Sequence, residues 1–159
     1  MSVKRFLAVL LTVIMTGSAV SASEAWLKGP DASWQIRYEE AQKIAKRDKK
    51  LIYALATGSD WCYWCKKLNA DVFSKEEFKE FAQKNLVLLY IDFPSARKNM
   101  PLEQRKYNYQ LMQKFDFGDG VPSALILDAD GKVVAQQGGY APLANYIKFL
   151  QDAVNKAKK

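Results

Sequence analysis

Histidine is missing from this chain altogether. Its absence excludes every mechanism that needs an imidazole, including Ser-His and Cys-His nucleophilic pairs and histidine-ligated zinc. Cysteine is nearly as scarce: Cys62 and Cys65 are the only two. That excludes a framework of several disulfides, and a four-cysteine zinc site within one chain. Long apolar runs are lacking too. The run from Phe6 to Met15 is about half of the roughly 20 residues a spanning helix needs, and no later segment is longer. Repeats and low-complexity stretches are also absent.

What is present suits one domain. The 159 residues are 49% hydrophobic and 13% aromatic, enough for a core and unlike a disordered chain. The N-terminus reads as a secretory signal peptide over residues 1–22. Lys4 and Arg5 supply the positive start, the run from Phe6 the apolar centre, and Gly17 to Ala22 the small residues before cleavage after Ala22. An uncleaved anchor is the alternative. No cysteine lies near the cleavage region, which argues against a lipid anchor there. Export would place the cysteine pair in an oxidising compartment, the periplasm in the first instance or else the extracellular medium. The formal charge is +7; without Lys4 and Arg5 it is 22 basic minus 17 acidic residues, or +5. The lysines are interspersed with acidic residues and read as a solvated surface, not a nucleic-acid site.

Residues 23–33 read as an exposed leader, and residues 34–159 as the domain. Periodicity predicts a helix over Trp34 to Lys46, with Tyr38, Ala41, Ile44 and Ala45 on one face. A buried strand follows at Leu51 to Ala56, then a turn, then a helix opening at Trp61-Cys62-Tyr63-Trp64-Cys65. Ser74 and Glu77 fit a capping box, with Phe73 and Phe78 placed as a hydrophobic staple. Leu86 to Ile91 reads as a central strand and Pro101 to Phe115 as a helix. Ala124 to Leu127 and Lys132 to Gln136 form a hairpin across Asp128-Ala129-Asp130-Gly131. The last helix opens at Pro142, with Leu143, Tyr146, Ile147, Leu150 and Val154 in one stripe. Alternation followed by a hairpin predicts an α/β fold with a central mixed sheet flanked by helices on both faces.

Cysteines at i and i+3 lie one helical turn apart, a spacing that lets a disulfide close at the first turn. There the unsatisfied N–H groups and the positive end of the helix dipole favour a thiolate, the species that attacks disulfides. Cys62 is therefore the expected nucleophile. Cys65, a turn deeper, is the expected resolving thiol. A non-catalytic binding or chaperone module with a structural disulfide is the bland alternative, and a Cu(I) carrier using both thiolates is a third. Met100 and Met112 are distant in sequence but within reach of a fold that brings one close.

The segment Ser59-Asp60-Trp61-Cys62-Tyr63-Trp64-Cys65-Lys66-Lys67-Leu68 resembles the active-site segment of exported thioredoxin-like proteins. Trp61 stands where thioredoxins carry the tryptophan before their first cysteine. Val121-Pro122-Ser123 resembles the step containing the family's cis-proline. The resemblance runs from about Trp34 to Ala153. It implies a thioredoxin-like fold and thiol–disulfide exchange with exported cysteine-containing proteins, with no cofactor beyond the pair. It also implies a membrane thiol reductase or other redox partner if the protein works as a reductase or isomerase, and action as a monomer. By the same resemblance Pro122 packs against the cysteines, and Val121 offers its carbonyl and N–H to an extended substrate. Trp61, Tyr63 and Trp64 are candidate substrate contacts; Tyr63 and Trp64 could equally pack onto the domain.

The sequence departs from the family in two respects. No histidine lies between the cysteines to favour the thiolate, which implies a moderate depression of the Cys62 pKa and a potential toward the reducing end. In addition, the buried aspartate found six residues before the first cysteine of many thioredoxins is here Ala56, and its lysine companion is matched by Leu88. Losing both together is coherent, because either charge alone is unfavourable to bury. That leaves water or another group to accept the Cys65 proton, with Asp60 and Asp92 as candidates.

Overall fold

A computed structural model describes residues 29–95 and 100–158. The signal peptide expected over residues 1–22, and the leader as far as residue 28, lie outside the described residues. In chain order the elements are β1 (Trp34–Gln35), α1 (Tyr38–Asp48), β2 (Leu51–Thr57), α2 (Tyr63–Leu68) continuing into a π-helical turn (Asn69–Phe73), α3 (Glu76–Asn85), β3 (Leu86–Asp92), α4 (Leu102–Lys114), β4 (Ser123–Leu127), β5 (Val133–Gly138) and α5 (Leu143–Ala157).

The strands form a five-stranded sheet in the order β1-β3-β2-β4-β5. β1 and β2 run parallel to β3, and β4 runs antiparallel to both β2 and β5. The sheet is therefore mixed, as the alternation-then-hairpin pattern predicts. Because successive strand side chains point to opposite faces, β2 divides its residues between two layers. Tyr53 and Leu55 pack with Leu68, Val72, Phe78, Tyr146 and Leu150. Ile52, Ala54 and Ala56 pack with Tyr38, Ala41, Leu111 and Phe115. Helices α2, α3 and α5 thus cover one face, and α1 and α4 the other. In the first layer the Tyr53 and Tyr146 hydroxyls pair with each other at 2.5 Å, which satisfies two polar groups that burial would otherwise leave unpaired.

Several local expectations are corrected. The first helix starts at Tyr38, not Trp34. Trp34 is 4% exposed in β1, where its ring sits edge-on to Tyr53, Phe73 and Tyr90. Burial of that large ring against the sheet outweighs helical periodicity. The capping box at Ser74 and Glu77 does not form. The preceding π turn runs through Phe73, so the Ser74 hydroxyl donates back to the Ala70 carbonyl at 2.6 Å. Lys75 becomes the N-cap of α3, without a side-chain cap bond. Phe73 and Phe78 still meet, at 5.0 Å between ring centres. Pro101 is the N-cap of α4 and not its first helical residue, and β5 continues to Gly138.

Candidate active site

The site forms where β2 ends and α2 begins. Cys62 is the N-cap residue of α2, in extended conformation, and its sulfur accepts the Cys65 N–H at 3.1 Å. A sulfur thus occupies the place where a serine or aspartate oxygen usually caps a helix. Cys62 and Cys65 are joined as a disulfide, with their Cα atoms 5.2 Å apart. Both residues are largely covered, at 6% and 5% exposure, so depth does not distinguish them. Their surroundings do. The Cys62 sulfur lies 3.6 Å from the Val121 carbonyl oxygen, whereas Cys65 lines a separate cavity of about 240 Å³.

The turn carrying the pair is tied to the turn after β3. Ser59 donates its N–H (2.9 Å) and hydroxyl (2.5 Å) to the Asp92 carboxylate. The Asp60 carboxylate accepts from the Ser95 N–H and hydroxyl. The Trp61 indole N–H donates to the Phe93 carbonyl at 2.7 Å, and the Phe93 N–H donates to Thr57. The Trp61 ring also lies directly over Gly58, where any Cβ would overlap it. Glycine is needed there for this close approach.

The Val121–Pro122 bond is cis, as the resemblance implies, and Pro122 is buried while Val121 is half-buried. Trp61, Tyr63 and Trp64 are 54%, 66% and 51% exposed. Tyr63 and Trp64 meet edge to face, and Trp64 leans on Tyr140 at 5.6 Å. They therefore pack on one another and on Tyr140 yet keep most of their surface in solvent. Trp64, Val121, Pro122, Gly139 and Tyr140 line an open cavity of about 230 Å³. Tyr140 went unnoticed in the sequence. The glycine pair before it reads only as a strand stop, and nothing local says that the chain returns beside Trp64. Asp71, which accepts from the Tyr140 hydroxyl and from Lys67, was equally hidden. Those two donors hold its carboxyl below the usual range, Lys67 first and Tyr140 second.

Ala56 is fully buried, so no carboxylate stands at that position. Its partner on β3 is Ile91. Leu88, expected beside it, pairs with Tyr53 and lies in the opposite layer. The neighbouring strand therefore offers Ala56 no amine. Met100 faces the Asn108 amide and Met112 packs in the layer of α1 and α4; neither lines a cavity at the pair. Among the described residues no group of three or more His, Cys, Asp or Glu side chains is arranged to hold a metal.

Asp92 is 4% exposed. Burial pushes its carboxyl up; hydrogen bonds from Ser59 and Phe93 offset part of this, and Asp60 nearby adds to it. The folded chain thus holds this proton more tightly than the unfolded chain. Its contribution favours folding at low pH and is lost as the pH rises from about 4 through the raised folded value. Asp92→Asn is therefore expected to gain stability relative to the parent between about pH 3.5 and pH 7. Urea unfolding at both pH values measures this, and a difference that does not change with pH would reject it.

Residues 38–154 match the thioredoxin-like domain family. The chain belongs to that family. Over 101 residues it is 39% identical to the disulfide bond reductase DsbH of Chlamydia pneumoniae, an alignment covering 64% of this chain and 60% of that relative. The chain thus spans less than two thirds of that relative's length. A solved structure of a DsbH oxidoreductase superposes with a TM-score of 0.69 at 34% identity, covering 79% of this chain and 88% of that one. A thioredoxin from Thermus thermophilus superposes at 0.58 with 18% identity over 75% of this chain and 84% of its own, which supports the fold. The cysteine pair thus stands joined at the head of α2, where the resemblance places it.

Proposed function

We propose that the protein is an exported enzyme that reduces or isomerises disulfides in exported, cysteine-containing proteins. The observation that carries this is the position of Cys62: its sulfur accepts the Cys65 N–H and sits against the carbonyl of Val121, beside half-exposed Trp61 and Trp64. Reduced Cys62 attacks a substrate disulfide, a mixed disulfide forms, and Cys65 displaces the reduced product. An extended substrate runs past Val121, using its backbone groups. One apolar substrate side chain enters the cavity between Trp64, Pro122 and Tyr140. No cofactor beyond the cysteine pair takes part. A membrane thiol reductase or similar donor returns the electrons; the signal-peptide reading of residues 1–22 supports export, to the periplasm in the first instance or else to the extracellular medium.

The reductase direction follows from the electrostatics and agrees with the name borne by the 39%-identical relative. The Cys62 thiolate gains from the helix start but has no histidine beside it to favour it further. Each pKa unit of depression favours the reduced form by about 1.4 kcal/mol, or about 30 mV for a two-electron couple. The test is the reduction potential, read by the fluorescence of Trp61 and Trp64 during equilibration with thiol buffers, alongside insulin reduction. A value near −270 mV with insulin turnover is expected. A value near about −120 mV would reverse the direction. A pair that resists reduction well below about −300 mV would make the disulfide structural.

A further inference from the structure

The resolving step needs a proton acceptor for Cys65, and Ala56 supplies none. The cavity beside Cys65 is lined by Leu55, Thr57, Ser59, Phe73 and Tyr90 among others, so three hydroxyl-bearing residues share with Cys65 a space of about 240 Å³. That is room for water with polar partners to hold it. Tyr90 and Asp92 alternate onto the same face of β3, paired with Leu55 and Thr57 of β2. Asp92 therefore stands just beyond the cavity, and Ser59 joins the two. Ser59 lines the cavity, its hydroxyl donates to Asp92 at 2.5 Å, and its N–H holds the other carboxylate oxygen. A hydroxyl has one donor and two acceptor sites. Ser59 can thus pass its proton to Asp92 while taking another from the cavity side.

We propose that Asp92, acting through the Ser59 hydroxyl, accepts the Cys65 proton when Cys65 resolves the mixed disulfide. This rests on the exchange reaction proposed above. In the step, the Cys65 S–H bond breaks and its proton moves by way of the cavity and Ser59 to the Asp92 carboxylate. The Cys65 electron pair forms the bond to the Cys62 sulfur, and the bond from Cys62 to the substrate sulfur breaks. The substrate leaves as a thiolate. The protein's dithiol is oxidised to a disulfide and the substrate's disulfide is reduced; the departing thiolate takes up a proton from water or from Asp92.

The groups facing Asp92 are consistent with this role. Ser59 and Asp60 approach from the turn after β2, and Tyr90 from its own strand. Asn108 of α4 donates to the Asp92 main-chain carbonyl at 2.8 Å and leaves the carboxylate to Ser59. Lys66 borders the cavity, but its ammonium donates to the Asp60 carbonyl at 3.2 Å. Among the described residues no cation forms an ion pair with Asp92, and what they offer its ionised form is the pair of hydrogen bonds from Ser59.

The test separates the two chemical steps. Reduced protein is mixed with oxidised glutathione, quenched in acid at intervals, and the mixed disulfide followed by mass spectrometry. The first phase, attack by Cys62, depends on glutathione concentration; the second, resolution by Cys65, does not. Asp92→Asn is expected to leave the first phase unchanged and slow the second by about 10²-fold near neutral pH. The parent's second phase should fall as the pH drops through the Asp92 titration, and this inflection should vanish in the variant. Ser59→Ala leaves the carboxylate in place and should slow the second phase by at least about tenfold. It decides the matter if Asp92→Asn does not fold. An unchanged second phase with an unchanged pH profile in a folded variant would overturn the proposal, as would an equal slowing of both phases. Absence of a first phase in the parent would remove the exchange reaction itself.

Discussion

Cys65→Ser is expected to capture substrates as a lasting mixed disulfide, and Cys62→Ser to abolish exchange. The disulfide closes a very short loop. With a sequence separation of 3, the chain-entropy relation gives a stabilisation of about 2 kcal/mol, and either serine variant loses the same amount. A purely structural disulfide therefore predicts two variants alike in every assay. An exchange site predicts two variants alike in stability and opposite in chemistry. In Cys65→Ser the Cys62 sulfur keeps its contacts with the residue-65 N–H and the Val121 carbonyl, so it still attacks, but no thiol remains to release the product. In Cys62→Ser the remaining Cys65 lines the separate cavity and not the one bounded by Val121, and the chain has no other cysteine to substitute. Insulin turnover should fall by on the order of 10³-fold or more in both variants. Non-reducing electrophoresis after exposure to disulfide-containing protein should show adducts only with Cys65→Ser. Adducts with neither variant, or equally with both, would reject the assignment of nucleophile and resolving thiol.

The part of this site that could be read from the sequence is the part that is local. A cysteine pair one turn apart, after a buried strand and at a helix start, states its own geometry, because three residues fix both the cap position and the reach of the disulfide. The layers could be read for the same reason: β2 alternates Tyr53 and Leu55 against Ile52, Ala54 and Ala56, and the period alone assigns them to opposite faces. What could not be read depends on register between distant segments. Leu88 looked like the neighbour of Ala56 by counting along a resemblance, but the ladder places Ile91 there, and in a strand an odd shift moves a side chain to the other face. Tyr140 joins the substrate-facing surface only because β5 returns antiparallel along β4 and delivers it to Trp64. Trp34 misled for a different reason. Its neighbours follow a helical period, but the rings of Tyr53 and Tyr90 on the sheet and of Phe73 on the π-helical turn await it, and tertiary burial overrides local pattern. Asp92 was a bare candidate in the sequence; its link to Ser59 gives it a role.

Phe78→Ala is expected to be the most damaging single truncation in the layer that supports the pair. Phe78 is 1% exposed and packs against Phe73 at 5.0 Å and Tyr53 at 6.2 Å between ring centres. Its loss removes the transfer free energy of the ring and leaves a cavity that α3, fixed to the sheet, cannot close. Comparable phenylalanine truncations cost about 3–5 kcal/mol, a large share of the roughly 5–15 kcal/mol that holds a domain together. At about 4 °C per kcal/mol for a domain of this size, the melting temperature should fall by roughly 12–20 °C. Phe81→Ala, on the same helix but only partly buried, should cost less than half as much. Equal losses at the two positions would mean that helix propensity, and not the core, sets the stability of α3. The consequence for the site is selective. Phe73 both packs on Phe78 and lines the cavity beside Cys65, whereas Cys62 is held from elsewhere, by the Gly58 carbonyl and the Cys65 N–H. Below its melting transition, Phe78→Ala should therefore attack disulfides at the parent's rate and resolve them at an altered one.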